Sequence, residues 1–149
     1  MLKGSLPEVF LDTDVCFDIL SKREPHFYQS VKLLELAEQD RISLLIAESG
    51  LANLIYLMFD IHKINNATDK LVDFVRASSI ISGGKFVMLE ALKSPFKDKE
   101  DALQYFTAQY READYFITRN TKDYKPFVEF LDVMTPKEFV TSIDDYADI

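Results

Sequence analysis

Two aspartates spaced i, i+2, Asp12 and Asp14, follow directly on the apolar run Val9-Phe10-Leu11, and an apolar segment resumes at Val15. A buried strand that ends on acids presents them at its C-terminal edge, where open parallel α/β sheets bind their ligands. Two carboxylates there repel each other and lose hydration unless a cation or hydrogen-bond donors compensate. Helix capping by Asp12 or Thr13 is the purely structural use of the same residues. A second acidic group, Asp98-Lys99-Glu100-Asp101, opens an apolar-patterned helix; Asp98 and Asp101 share a face, and Asp98 also suits the cap of that helix. A third stretch, Ala113 to Tyr124, runs from a strand into a polar loop carrying Thr118, Asn120 and Asp123. It leaves the same sheet edge as Asp12, or is simply a solvated turn. Acids converging on one edge suit hard cations such as Mg²⁺ and Mn²⁺, which take oxygen ligands and keep room for water and a substrate phosphate.

The elements that must hold these groups follow from the periodicity. Strands are expected at residues 8–12, 42–46, 78–82, 115–118 and 131–134. Helices are expected at 15–20, 26–38, 52–61, 69–76 with Thr68 as N-cap, 85–93, 98–113 and from Pro136 to about Ile143. Short strands alternating with helices predict an α/β fold, a three-layer α/β/α sandwich around a central, mostly parallel sheet of about five strands. No linker or internal repeat divides the chain, so residues 1–149 read as a single domain with a loose acidic tail at 144–149.

Composition narrows the functional classes. A single cysteine, Cys16, excludes an internal disulfide and reads as a small core residue; no Cys/His cluster resembles a zinc site. The N-terminus lacks a signal-peptide pattern and residues 42–61 are interrupted by Glu48, Asn53 and Asp60, so an intracellular, cytoplasmic protein with no membrane partner is expected. A net charge of −8 argues against non-specific nucleic-acid binding through phosphate neutralisation. It leaves a nuclease open, because carboxylate-bound cations bring their own positive charge to the phosphate. His26 and His62 read as surface or packing residues, and the rings at 105, 106, 110, 115 and 116 as core. Arg119 and Lys122 are the cations best placed for a substrate phosphate.

Phe10-Leu11-Asp12-Thr13-Asp14, Asp98-x-x-Asp101-Ala102-Leu103 and Ala113-Asp114-Tyr115-Phe116-Ile117-Thr118-Arg119-Asn120-x-x-Asp123-Tyr124 together resemble the PIN domain family, and more narrowly its VapC-type toxin relatives. The resemblance spans about Val9 to Val140. It implies a metal-dependent ribonuclease in which Mg²⁺ or Mn²⁺ activates water for phosphodiester hydrolysis. By position, Asp12 is the first metal ligand, Asp101 the third acid, and Asn120 stands where many members carry the fourth. Asp123 just beyond supplies a charge, Asp14 and Asp98 support the metal, and Thr118 and Thr13 orient ligands or water. The family's second acid maps to Asn53, with Glu48 as a fallback. The resemblance further implies an RNA substrate, the toxin role in a toxin–antitoxin pair, a cognate antitoxin and a homodimer.

Asparagine at two of four acidic positions lowers the charge available to a cation. The second reading is therefore a catalytically weakened PIN-fold module that binds RNA or a protein. A third is a phosphatase-like domain with Asp12 as phosphorylated nucleophile and Asp14 as general acid, for which no lysine and acid partner stands late in the sheet.

Overall fold

The structure, a computed structural model, describes residues 5–127 and 131–147. The chain runs β1 (Glu8–Leu11), α1 (Thr13–Ser21), α2 (Phe27–Glu38), β2 (Ser43–Ala47), α3 (Glu48–Tyr56) and a π-helical extension over Leu57–Ile61. It continues through α4 (Ala67–Arg76), β3 (Ser78–Ile81), α5 (Gly84–Lys93), α6 (Lys99–Tyr110), β4 (Tyr115–Ile117), α7 (Thr121–Tyr124), a 3-10 turn at Lys125–Phe127, β5 (Asp132–Met134) and α8 (Pro136–Ala147).

Every strand pairing is parallel, and the sheet order is β3-β2-β1-β4-β5. The first three strands wind outward in one direction; the chain then returns to place β4 on the free side of β1. That reversal puts the topological switch point between β1 and β4, where their C-terminal ends leave a crevice. Asp12 is the first residue after β1 and Thr118 the first after β4.

Strand alternation divides the core. Val9, Leu11, Leu44, Ile46 and Ile117 point to one face, where Val15, Leu33, Phe74 and Phe139 cover them. Phe10, Leu45, Ala47, Phe116 and Val133 point to the other, against Ala91, Ala102, Tyr105 and Tyr124. Both faces are thus buried, the condition for a parallel sheet, and the expected three-layer α/β/α sandwich is what forms. Phe10 and Phe116 stack at 5.1 Å with 13° between their planes, and Phe116 lies 4.6 Å from Tyr124.

Differences from the sequence reading have local causes. The fourth helix begins at Ala67, not after Thr68, because Asn66 takes the left-handed conformation (φ 58°) that ends the preceding turn. The third begins at Glu48, directly on the end of β2. The short α7 was not expected, four polar-rich residues carrying too little periodicity to reveal it. The last helix continues to Ala147; Asp148 and Ile149 lie outside the described residues. Cys16 is buried, and Tyr110, expected in the core, is exposed beside Phe86. Among the described residues no helix is long and apolar enough to cross a membrane.

The Phe10 ring is fully buried at the centre of the second face. Phe10→Ala is expected to lower the unfolding free energy by about 3–5 kcal/mol, measured by urea denaturation. A loss below about 1 kcal/mol would mean that the aromatic layer collapses into the space and does not depend on this ring.

Candidate active site

Asp12 sits at the switch point in extended conformation and begins α1 without a side-chain cap bond. Its carboxylate is committed elsewhere. Thr118 Oγ1 donates to Asp12 Oδ2 at 2.8 Å and Tyr124 OH donates to the same oxygen at 3.2 Å. The backbone repeats the link, since Asp12 N donates to Ile117 O at 2.9 Å. Tyr124 is held from behind by Phe96, Tyr105 and Phe116, so the aromatic core of one sheet face fixes the donor to Asp12.

The α6 N-terminus brings the second acid. Asp98 caps the helix, its Oδ1 accepting from Glu100 N at 2.9 Å and Asp101 N at 3.1 Å. With Asp98 so engaged, Asp101 turns toward Asp12 and stands within hydrogen-bond reach of Tyr124. Burial, then the charges of Asp98 and Asp14, push the Glu100 carboxyl up, with the nearby Asn53 amide pulling the other way. Asn53 on α3 therefore meets an acid from α6 at the position where the resemblance implied an acid of its own. Glu48 is exposed at the start of α3 and lines a different cavity with Ser82, Lys85 and Leu103.

Asn120 ties the third stretch in. Its backbone N–H donates to Thr118 Oγ1 at 3.1 Å, and its Nδ2 donates to Asp14 Oδ2 at 3.1 Å. A carboxylate at 120 would face Asp14 as a like charge; the amide faces it as a donor. Thr13 is buried and donates from both N and Oγ1 to Gln104 Oε1, at 3.0 and 3.1 Å. This contact demands glycine at 50, because a Cβ there would lie 2.8 Å from Thr13 Oγ1. Thr13 thus locks α1 to α6 and, through them, Asp12 to Asp101.

Asp123 and Lys122 are exposed on α7 and are not among the charges acting most strongly on the pair: Asp14 acts on Asp12, and Asp12, Asp98 and Asp14 act on Asp101. Arg119 is bound by a group that sequence reasoning missed: its Nε lies 2.7 Å from Oδ2 of the fully buried Asp18. Tyr124, Glu100 and Gln104 were also not singled out, although the aromatic closing the Asp123-Tyr124 motif carried a signal for the first.

The electrostatics mark an uncompensated pair. Burial, then the charge of Asp14, pushes the Asp12 carboxyl up to about 6, with Thr118 and Tyr124 pulling the other way. Burial, then Asp12 and Asp98, pushes Asp101 up to about 7. Burial and both acids push the Tyr124 phenol far above its ordinary range, so it remains a donor. Among the described residues no three acid, His or Cys side chains converge into a closed metal cage. A hard divalent cation does not need one: Mg²⁺ is commonly held by one or two carboxylates plus water and substrate phosphate. The all-oxygen Asp12–Asp101 pair, with Asp14 beside it, fits such an open site.

Because the folded-state values of about 6 and 7 lie above the ordinary 3.8, the folded chain binds protons that the unfolded chain has released. In metal-free buffer its stability is therefore expected to fall as pH rises from about 4 to about 7. Thermal unfolding followed by circular dichroism checks this, with a shallower fall in Asp101→Asn. Parallel curves for the two proteins would remove the pair as the source.

The PIN domain family model matches residues 8–122. Ribonuclease VapC1 of Aquifex aeolicus (strain VF5) is 27% identical over 137 residues, covering 89% of this chain and 92% of that relative. The solved structure of VapBC2 from Rickettsia felis bound to a DNA fragment from their promoter gives a TM-score of 0.65 at 24% identity, over 86% of this chain and 98% of that one. A toxin–antitoxin complex from Klebsiella pneumoniae gives 0.64 at 21% identity, over 86% and 97%. These two structures share the fold. The family model covers β1 through the start of α7, the span that builds the acidic edge, and on that match this chain belongs to the PIN domain family.

Proposed function

We propose that the protein is a Mg²⁺- or Mn²⁺-dependent endoribonuclease that hydrolyses RNA phosphodiester bonds and serves as the toxin of a toxin–antitoxin pair. The observation that carries this reading is the Asp12–Asp101 pair at the switch point of the sheet, two acids raised in pKa first by burial, then by the charge of Asp14 on Asp12 and of Asp12 on Asp101. Family membership and the likeness to a VapC ribonuclease support it. Asp12 and Asp101, with Asp14 beside them, would hold the cation, whose chemistry is to lower the pKa of a bound water and to polarise the phosphate. The chain's own part is positional. Thr118 and Tyr124 fix one oxygen of Asp12 and leave the carboxylate's other oxygen outside that pair of bonds. Asn120 orients Asp14 without adding charge, and the Asn53–Glu100 contact keeps a further acid at the rim.

Solved toxin–antitoxin complexes among the structural neighbours support an antitoxin as partner and the cytoplasm, where RNA is translated, as the place of action. The exposed apolar residues Phe86, Met88, Leu89 and Leu92 of α5 support a homodimer. The competing reading, a weakened module that binds RNA or protein, draws on asparagine at 53 and 120 and on the lack of a closed acid cage among the described residues.

With Mn²⁺ the purified protein is expected to cut RNA, and Asp12→Ala or Asp101→Asn to slow cutting by at least about 10²-fold. Cleavage that persists in EDTA, or survives both substitutions, overturns the nuclease reading. Calorimetric Mn²⁺ titration separates the alternatives: binding that disappears in Asp12→Ala favours the enzyme, and no binding at millimolar metal favours the module. If metal binds the folded state only, it also raises the thermal midpoint of the wild type above that of Asp12→Ala.

A further inference from the structure

A cavity of about 390 Å³ opens beside the acidic edge, between the α1–α2 connection and the start of α8, and its lining includes His26, Gln29, Ser30, Arg119, Asn120 and Lys137. Its size falls within the range of small-ligand sites. The two charged groups of fixed sign in the lining, Arg119 and Lys137, are both cations, in a chain whose net charge is −8. Ser30 is fully buried at the cavity wall, and its Oγ has no hydrogen-bond partner among the described residues. A buried hydroxyl left unpaired is costly unless a ligand or water completes it.

The cavity is joined to the acids through one side chain. Asn120 lines it and also donates to Asp14, while its backbone donates to Thr118, which holds Asp12. The anions near the cavity are already engaged. Asp18 lies buried behind Arg119 and pairs with it, and His26 acts on Asp18 from the same side. Glu138 accepts from Thr135 N at 3.2 Å in the capping box of α8, and Asp14 lies beyond Asn120. Lys137 is exposed and forms no ion pair among the described residues.

We propose that this cavity is a subsite for the RNA backbone, seating the phosphate of a nucleotide adjacent to the bond held over Asp12 and Asp101. The inference rests on the ribonuclease reading of the acidic edge. A polyanion crossing a rim of Asp12, Asp14, Glu100 and Asp101 needs a cationic foothold to one side, and phosphate contacts are what fix a strand's register. Lys137 supplies free charge, Arg119 a guanidinium pre-set by Asp18, and Gln29 and the Ser30 hydroxyl neutral donors. An acidic peptide would meet the same cations but has no reason to continue over the carboxylates. A nucleic-acid strand does, because its next phosphate is the one to be cut.

The test uses a fluorescein-labelled, non-cleavable 2′-O-methyl RNA hexamer and the full chain, with binding read by anisotropy across a salt series. Lys137→Glu places an acid in the first turn of a helix, where it is tolerated, so the variant should fold. It is expected to weaken hexamer binding about tenfold and to reduce the slope of log K against log salt by about one. Ser30→Ala should weaken binding by a few-fold with no loss of thermal stability. Unchanged affinity and slope in Lys137→Glu overturn the subsite, as does failure of the wild type to bind the hexamer. A hexaglutamate peptide that binds in a Lys137-dependent way while RNA binding is indifferent to Lys137 also overturns it, in favour of a protein partner. Lys137-dependent hexamer binding by a wild type that cuts no RNA with Mn²⁺ sustains the subsite and removes the nuclease reading instead.

Discussion

The rest of the site depends on how Asp12 is buried. A carboxylate 3% exposed at the end of a strand is costly to ionise, and the protein compensates only part of that cost. Thr118 and Tyr124 both donate to one oxygen, and no cationic side chain stands among the strongest influences on this group. Arg119, the nearest cation in sequence to Thr118, is paired with the buried Asp18 of α1. Had Arg119 paired with Asp12 instead, the charge at the switch point would be neutralised within the chain. The buried Asp18 therefore acts indirectly on the acidic edge, by keeping a guanidinium away from it.

This arrangement explains why the supporting structure is so aromatic on one face. Tyr124 must be rigid to donate in a fixed direction from a helix of four residues, which has no length to stabilise itself. Its ring gains rigidity from Phe96, Tyr105 and Phe116, and Phe116 in turn stacks on Phe10, the residue two positions before Asp12. The strand that presents the acid and the ring that restrains it thus belong to one packed layer. The opposing lock is polar: Thr13 and Gln104 hold α1 to α6 with two hydrogen bonds to one amide oxygen, over a glycine that leaves them room.

Much of this was legible in the sequence. The β/α alternation gave all five strands within a residue at most ends, because each strand is buried on both faces and reads as an apolar run. Asp12, Thr118, Asn120 and Asp123 were expected at one edge because residues just past parallel strand ends share it, and Asp98 and Asp101 from the start of a helix; of these Asp123 is exposed on α7 and is not among the main charges on the pair. What escaped were partners chosen by packing across the fold. Gln104 lies mid-helix, where an amide carries no periodic signal, yet it meets Thr13 across 91 positions. Asp18 looks like any helical acid until its 0% exposure and its pairing with Arg119 are seen. His26, remote in sequence from the acids, lines the cavity that reaches them through Asn120.

The asparagines at 53 and 120 take on a specific meaning in this geometry. Each stands against an acid supplied by another element: Asn53 against Glu100 of α6, and Asn120 against Asp14 of α1. An aspartate or glutamate at either place would add a negative charge beside one already present, at an edge where burial and repulsion have pushed two carboxyls up to about 6 and 7. Amides donate where carboxylates would repel. They keep Asp14 and Glu100 oriented at the rim while holding the total charge to what the pair and a single divalent ion can balance. The two acids absent by position are accordingly matched by Asp14, hydrogen-bonded to Asn120, and by Glu100 near Asn53, and counting carboxylates along the sequence understates the negative charge that the folded edge presents.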